Sequence, residues 1–215
     1  MKMTRRASLA VFFSLFSGFA ALAVYDPGKA TTVASKPDGK IGEGWWKTRH
    51  EEKVKLAAQG GWDLVFIGDS ITQGWEGGGK ETWEKFYAPR KALNIGFSGD
   101  RTENVVWRLE NGEMDGYKPK VAVIMIGTNN TGHRNDPPDY IAGGVKAILD
   151  DLGEKWPDTK ILLLAIFPRA AQAADPQRVN NDKANEFIAK LADGKHVFYL
   201  NINDKFLAPD GELTK

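Results

Sequence analysis

The chain has 215 residues, with 29 Lys and Arg against 28 Asp and Glu, and is 42% hydrophobic and 27% charged. That length and balance suit one globular domain with a sizeable core. They give no reason to expect nucleic acid, since no basic run occurs beyond the N-terminus and no helix face is arginine-rich. The absence of cysteine excludes a disulfide framework and a thiolate metal site.

Lys2, Arg5 and Arg6 open the chain. Ala7 to Val24 is apolar apart from Ser8, Ser14, Ser17 and Gly18, and Ala21-Leu22-Ala23 supplies a small-x-small pattern. Together these features mark residues 1–23 as a secretory signal peptide. The apolar stretch falls short of the ~20 residues a spanning helix needs, so cleavage is expected, with no stable membrane insertion after it. An exported protein without disulfides suits a bacterial periplasm or the space outside a bacterium. Residues 24–40, with Pro27, Gly28, Pro37 and Gly39, read as a linker or loose N-terminal arm. The domain proper is then 41–215.

A helical pattern runs from Trp45 to about Ala58 and ends at Gly60-Gly61; Trp45 and Trp46 would anchor it to the domain. Short apolar runs follow at Leu64–Ile67, Ala92–Ile95, Val121–Ile126, Ile161–Ile166 and Val197–Leu200. They are rich in Val and Ile and do not alternate, as expected of strands buried on both faces. Gly77-Gly78-Gly79 lacks a P-loop context and reads as a flexible loop. Helical periodicity fills the gaps. Asp100 and Glu103 look like a capping box before Val105, Val106 and Leu109. Asp136-Pro137 would open a helix carrying Ile141, Val145, Ile148, Leu149 and Leu152 on one face, and Asp175-Pro176 another carrying Val179, Phe187, Ile188 and Leu191. Such alternation predicts an α/β fold, a parallel sheet covered by helices on both faces.

Ligands of such sheets bind beyond the carboxyl ends of the strands. "VFIGDSITQGW" (65–75) ends the first strand on Gly68, Asp69 and Ser70, "NIGFSGD" (94–100) ends the second, and "GTNN" (127–130) ends the third. Together they offer a hydroxyl, a glycine whose backbone can approach closely, and a side-chain amide. The N–H of Ser70 at a helix start, the N–H of Gly99 and the amide of Asn129 are candidate donors for the negative charge that develops on an attacked carbonyl. Trp75, Phe97 and Trp107 are candidates for an acyl pocket or for core packing.

The blocks "GDSIT", "NIGFSGD" and "GTNN" resemble those of the SGNH (GDSL-type) hydrolases. "VVWRLENGEM" and "VAVIMIGTNN" fit the branch related to the platelet-activating-factor acetylhydrolase catalytic subunits. The likeness runs from about Trp45 to the end of the chain. It implies a flavodoxin-like three-layer sandwich around a parallel sheet of about five strands. It further implies Ser70 as nucleophile, an oxyanion hole completed by Gly99 and Asn129, no cofactor and a small acyl-ester substrate. Asp69 would brace the nucleophile loop, and Asn130 stands where an acid is common.

A serine nucleophile needs a base, usually a histidine held by a carboxylate. The family carries both in an Asp-x-x-His block before a final helix, and this chain has no such block. Its histidines are His50, His133 and His196. The first lies in the N-terminal helix and the last at the wrong end of a parallel sheet. His133 follows the third block and suits a substrate contact or a surface loop. Asp210, in "FLAPDGELTK", is followed by Gly-Glu-Leu and is not taken as the triad acid. The expectation is a secreted serine ester hydrolase whose chain stops short of its base. The alternative is an inactive exported carbohydrate- or ligand-binding module on the same scaffold. A metal-dependent site at Asp69, His133 and Asp136 has no supporting ligand spacing.

Overall fold

A computed structural model describes residues 44–214 of the chain. The expected signal peptide and the linker before the first helix, residues 1–43, lie outside them. Helix α1 (Gly44–Ala58) leads into strand β1 (Leu64–Gly68). A short helix α2 (Ser70–Gln73) and helix α3 (Lys80–Phe86) precede β2 (Ala92–Gly96). Helix α4 (Thr102–Arg108) continues into a single π turn, followed by β3 (Val121–Met125), α5 (Thr128–Arg134) and α6 (Pro138–Lys155). Strand β4 (Lys160–Leu164), α7 (Pro176–Ile188) and β5 (Val197–Leu200) complete the domain. The strands form one parallel sheet in the order β2-β1-β3-β4-β5, the doubly wound order expected of a flavodoxin-like fold.

Local chemistry explains the longer helices. Pro138 opens α6, where a missing N–H costs nothing. Ile141, Val145, Ile148, Leu149 and Leu152 are all buried, as their spacing requires. Each fully buried aliphatic side chain contributes about 1.5–3 kcal/mol. The Asp175 carboxylate caps α7 by accepting from the Gln177 N–H at 2.8 Å. On one face of the sheet, Val65, Ile67, Leu93, Ile95, Ala122, Ile124, Ile161 and Leu163 form a continuous core with apolar residues of α1, α4, α6 and α7.

Several local expectations are corrected. Helix α4 starts at Thr102, not behind Asp100. Arg101 is its N-cap, and its N–H donates to the Asn104 side chain at 2.9 Å. The carboxylates of Asp100 and Glu103 are instead taken up by Arg108 and Arg101, because charged donors outcompete a neutral backbone N–H. Asp136 does not cap α6 either: its carboxylate receives Asn130 and Arg134, and Pro137 occupies the cap position. Gly77 to Gly79 form a hydrogen-bonded turn closed on the Gly74 carbonyl, not an open loop.

The expectation that all strands are buried on both faces holds only in part. Register places Phe66, Val123, Leu162 and Phe198 side by side on the second face. Near β1 this face is covered: Trp83 and Tyr87 lie edge-on to the Phe66 ring at 5.1 and 4.9 Å. Over β4 and β5 the described residues cover it only in part, and Phe198 and Leu200 are each 41% exposed. Sequence alone could not separate these cases, because an apolar run looks the same with or without a covering layer.

Candidate active site

The site assembles at the carboxyl ends of the three adjacent strands β2, β1 and β3. Gly68 pairs with Gly96 on one side and Met125 on the other, so the three candidate loops leave the sheet next to one another. Helix α2 starts within two residues of β1. Asp69 makes this sharp turn possible: its buried carboxylate accepts from the Ile71 N–H at 2.9 Å and caps the helix. Ser70 is therefore the first helical residue. It is exposed, and its own N–H has no intrahelical acceptor.

The helix sits directly on the strand ends because two glycines admit it. A Cβ on Gly68 would lie 2.2 Å from the Thr72 hydroxyl, and one on Gly96 would lie 2.4 Å from the Gln73 nitrogen. Asn94 fastens the arrangement by donating to the Thr72 carbonyl at 2.8 Å. Gln73 accepts from the Ser98 N–H at 2.6 Å, joining α2 to the second loop.

Gly99 lies in that second loop with φ of +70°, a conformation glycine adopts without strain. Asp100 follows, fully buried, and is the knot of the region. Its carboxylate accepts from the Trp46 indole at 2.9 Å and from Arg108 Nε at 2.8 Å, and its carbonyl accepts from the Asn129 amide at 2.9 Å. Asn129 thus uses one side-chain N–H to hold its position and keeps a second for a ligand. Asn130, beside it, joins the second and third loops. Its carbonyl oxygen accepts from the Thr102 N–H at 3.1 Å, and its amide donates to Asp136 at 3.0 Å.

Charged groups lie beneath and beside these loops. Arg108 is completely buried, bonded to Asp100 and Glu113, with its guanidinium carbon 3.9 Å from the centre of the Phe97 ring. Arg49 donates to the Gly96 carbonyl at 2.8 Å and pairs with Glu76, which also receives Lys53 at 2.7 Å. Burial pushes the Glu76 carboxyl upward, but hydrogen bonds from Arg49 and Lys53 outweigh it and hold the group below the usual carboxylate range. Burial lowers the Lys53 ammonium.

Of the candidate pocket aromatics, Phe97 is core beneath the site and Trp107 packs on Trp46 and His50. Trp75 instead lines an apolar cavity of about 580 Å³ on the open sheet face. That cavity also reaches Ile71, the residue after Ser70, and runs past Met125 and Leu164 to Phe206.

The histidines lie apart from one another. The ring of His50 is buried, 2.9 Å from a Glu113 oxygen, and stacks on Trp46. His196 precedes β5 and lies at the amino end of the sheet, where its carbonyl accepts from the Ile161 N–H. His133 is exposed at the end of α5, 3.4 Å from Arg101. Among the described residues no group of three or more His, Cys, Asp or Glu is placed to hold a metal ion, and no helix is long and apolar enough to cross a membrane.

Sequence reasoning placed Asp69, Ser70, Gly99 and Asn129 on these loops. It missed the bridging role of Asn130 and the buried Arg108. The signal for Arg108 was present, a lone arginine inside the apolar helix "VVWRL", which must be paired if that face is core.

An exposed serine at a helix start, with a glycine-bearing loop and an asparagine leaving the neighbouring strand ends of a parallel sheet, suits a serine-type acyl hydrolase. The chain belongs to the GDSL-like lipase/acylhydrolase family, whose model matches residues 66–215. It is 36% identical over 185 residues to the human platelet-activating factor acetylhydrolase IB subunit alpha1, covering 84% of this chain and 78% of that protein. To the rat alpha2 subunit it is 35% identical over 174 residues, covering 80% and 73%. Among solved structures, a GDSL-like lipase from Bacteroides thetaiotaomicron superposes with a TM-score of 0.59 at 20% identity, covering 78% of this chain and 83% of that one. The acetylxylan esterase Axe2 from Geobacillus stearothermophilus gives 0.55 at 19% identity, covering 74% and 89%. These structures share the fold, and the family is one of acyl-ester hydrolases.

Proposed function

We propose that the protein removes small acyl groups, of the acetyl type, from carbohydrate or lipid esters through an acyl-serine intermediate. Ser70 Oγ attacks the ester carbonyl, passing its proton to a general base that returns it to the departing alkoxide. The N–H groups of Ser70 and Gly99 and the free N–H of Asn129 receive the oxyanion, and the alcohol leaves. Water then releases the acid, and no cofactor enters. The observation that carries this reading is Ser70 at the first position of α2, with the Gly99 and Asn129 loops leaving the neighbouring strands beside it.

Acetyl specificity draws support from the names of the relatives, acetylhydrolases and an acetylxylan esterase. Export to a bacterial periplasm or beyond is proposed from the N-terminal sequence. The general base of such a reaction is usually a histidine held by a carboxylate, as in the family's Asp-x-x-His block, and no described histidine is assigned to that role.

The test is Ser70→Ala in a chain that carries such a block, assayed on a short-chain acetyl ester. Turnover should fall by several orders of magnitude with the fold unchanged. Undiminished turnover would exclude Ser70 as nucleophile and favour a binding module on the same scaffold.

A further inference from the structure

Most arginines at the carboxyl end of the sheet are spoken for. Arg49 pairs with Glu76, Arg101 with Glu103, Arg108 with Asp100 and Glu113, and Arg134 with Glu103 and Asp136. Arg169 differs. It lies on the loop after β4, half-buried, and no carboxylate among the described residues reaches it. Neutral groups alone hold it. Its Nε donates to the Gln177 side chain at 2.6 Å, and one terminal nitrogen donates to the Thr128 hydroxyl at 3.2 Å and more loosely to the Thr128 carbonyl at 3.4 Å. The other terminal nitrogen lies against Gly132, so close that a Cβ there would sit 2.3 Å from it. That nitrogen donates to no described residue.

The result is a positive charge fixed in direction but not neutralised. Partial burial of an unpaired cation costs free energy, and three neutral acceptors do not offset it as an anion would. The position is specific too. Thr128, which Arg169 holds, immediately precedes Asn129 in the chain, so the guanidinium is fastened to the residue next to the proposed oxyanion donor. A guanidinium is a planar, permanently charged fork suited to phosphate and carboxylate oxygens.

We infer that Arg169 recognises an anionic group, a phosphate or a carboxylate, carried by the ester substrate outside its acyl part. This rests on the reading of Ser70 as the reacting centre, and it makes Arg169 a specificity residue, not a chemical one. A neutral ester would leave the guanidinium unpaired and would be the poorer ligand.

Binding can be read without turnover. The full chain and its Arg169→Gln and Arg169→Lys variants would be titrated calorimetrically with glycerol 3-phosphate, glucuronate and glycerol. The wild type should bind at least one of the two anions saturably and prefer it to glycerol. Which anion binds separates a phosphoester substrate from an acidic sugar. Arg169→Gln should weaken that binding about tenfold or more. Arg169→Lys, which keeps the charge and loses the fork, should retain part of it. Should Arg169→Gln not fold, an Arg169→Lys protein with wild-type affinity overturns the inference. So does an absence of saturable anion binding by the wild type, or equal affinity in Arg169→Gln with or without a lowered melting temperature. Each of those results leaves Arg169 a strut between α5 and α7. A failure of the Ser70 assignment would appear in the Ser70→Ala assay and would leave this titration unchanged.

Discussion

The side chain of Asn129 donates to the main-chain carbonyl of Asp100 at 2.9 Å, so the amide of one loop is fastened to the backbone of the next. One N–H is spent on position, and the other is the one proposed to receive the oxyanion. A donor of this kind matters most when charge develops, not when the ester first binds. Asn129→Ala in a competent chain should therefore lower kcat by roughly 10²–10³ with little change in KM. Steady-state kinetics decide it. A rise in KM alone would mean that the amide binds the ground state.

Arg108 should be the residue on which the site most depends for stability. It bridges two fully buried carboxylates and reaches the Ile95 carbonyl at 3.2 Å, directly below the second loop. Arg108→Met keeps much of the volume but leaves Asp100 and Glu113 without their cation. Breaking a buried pair from one side costs about 3–5 kcal/mol, a large share of the about 5–15 kcal/mol that holds most domains. Denaturant unfolding should show a drop of that size. A loss below about 1 kcal/mol would mean that Trp46 and His50 already satisfy the two acids.

Much of this was legible in the sequence, for a physical reason. The five strands are apolar runs, the helices between them show their period, and turn residues mark each strand end. These are local signals. The network around Asp100 was not legible, because Trp46, Arg108 and Asn129 lie in three separate segments that only the closed sheet brings together. The same holds for Arg169 and Thr128, 41 positions apart. The exposed second face of β4 and β5 was misjudged because apolar composition reports a preference for burial, not the presence of a partner.

Asp151 offers a test of electrostatics away from the site. Burial, with Glu110, Asp150 and Glu154 nearby, pushes its carboxyl up to about 6. The folded state thus prefers the protonated form. Relative to an unfolded chain with an ordinary carboxyl, stability is full below the usual aspartate range. It is lost as pH rises toward 6, and the penalty stays at neutral pH. Asp151→Asn should raise stability by about 1 kcal/mol at pH 7.5, after allowing for solvent screening, and by little at pH 4. Thermal melts at the two pH values check both sign and window. Equal gains at both would show that the effect is not titration of Asp151.

The open face over β4 and β5 and the lack of an assigned base lead to one joint expectation. No described histidine is assigned as the base for Ser70, and the help of a general base is usually worth about 10²–10⁴ in rate. Residues 24–215 alone should therefore be nearly inactive on acetyl esters. They should also associate readily, because Phe198 and Leu200 lie exposed on the sheet's edge strand beside an apolar cavity of about 580 Å³. Grafting an Asp-x-x-His block and an amphipathic helix after Lys215 should raise turnover and lower association together. The helix would cover the Phe198–Leu200 face, and the block would bring a histidine toward Ser70. Turnover and sedimentation behaviour, measured on the same preparations, should improve in step. Robust esterase activity from residues 24–215 would refute this and would identify His133, at the end of α5, as the group to replace next.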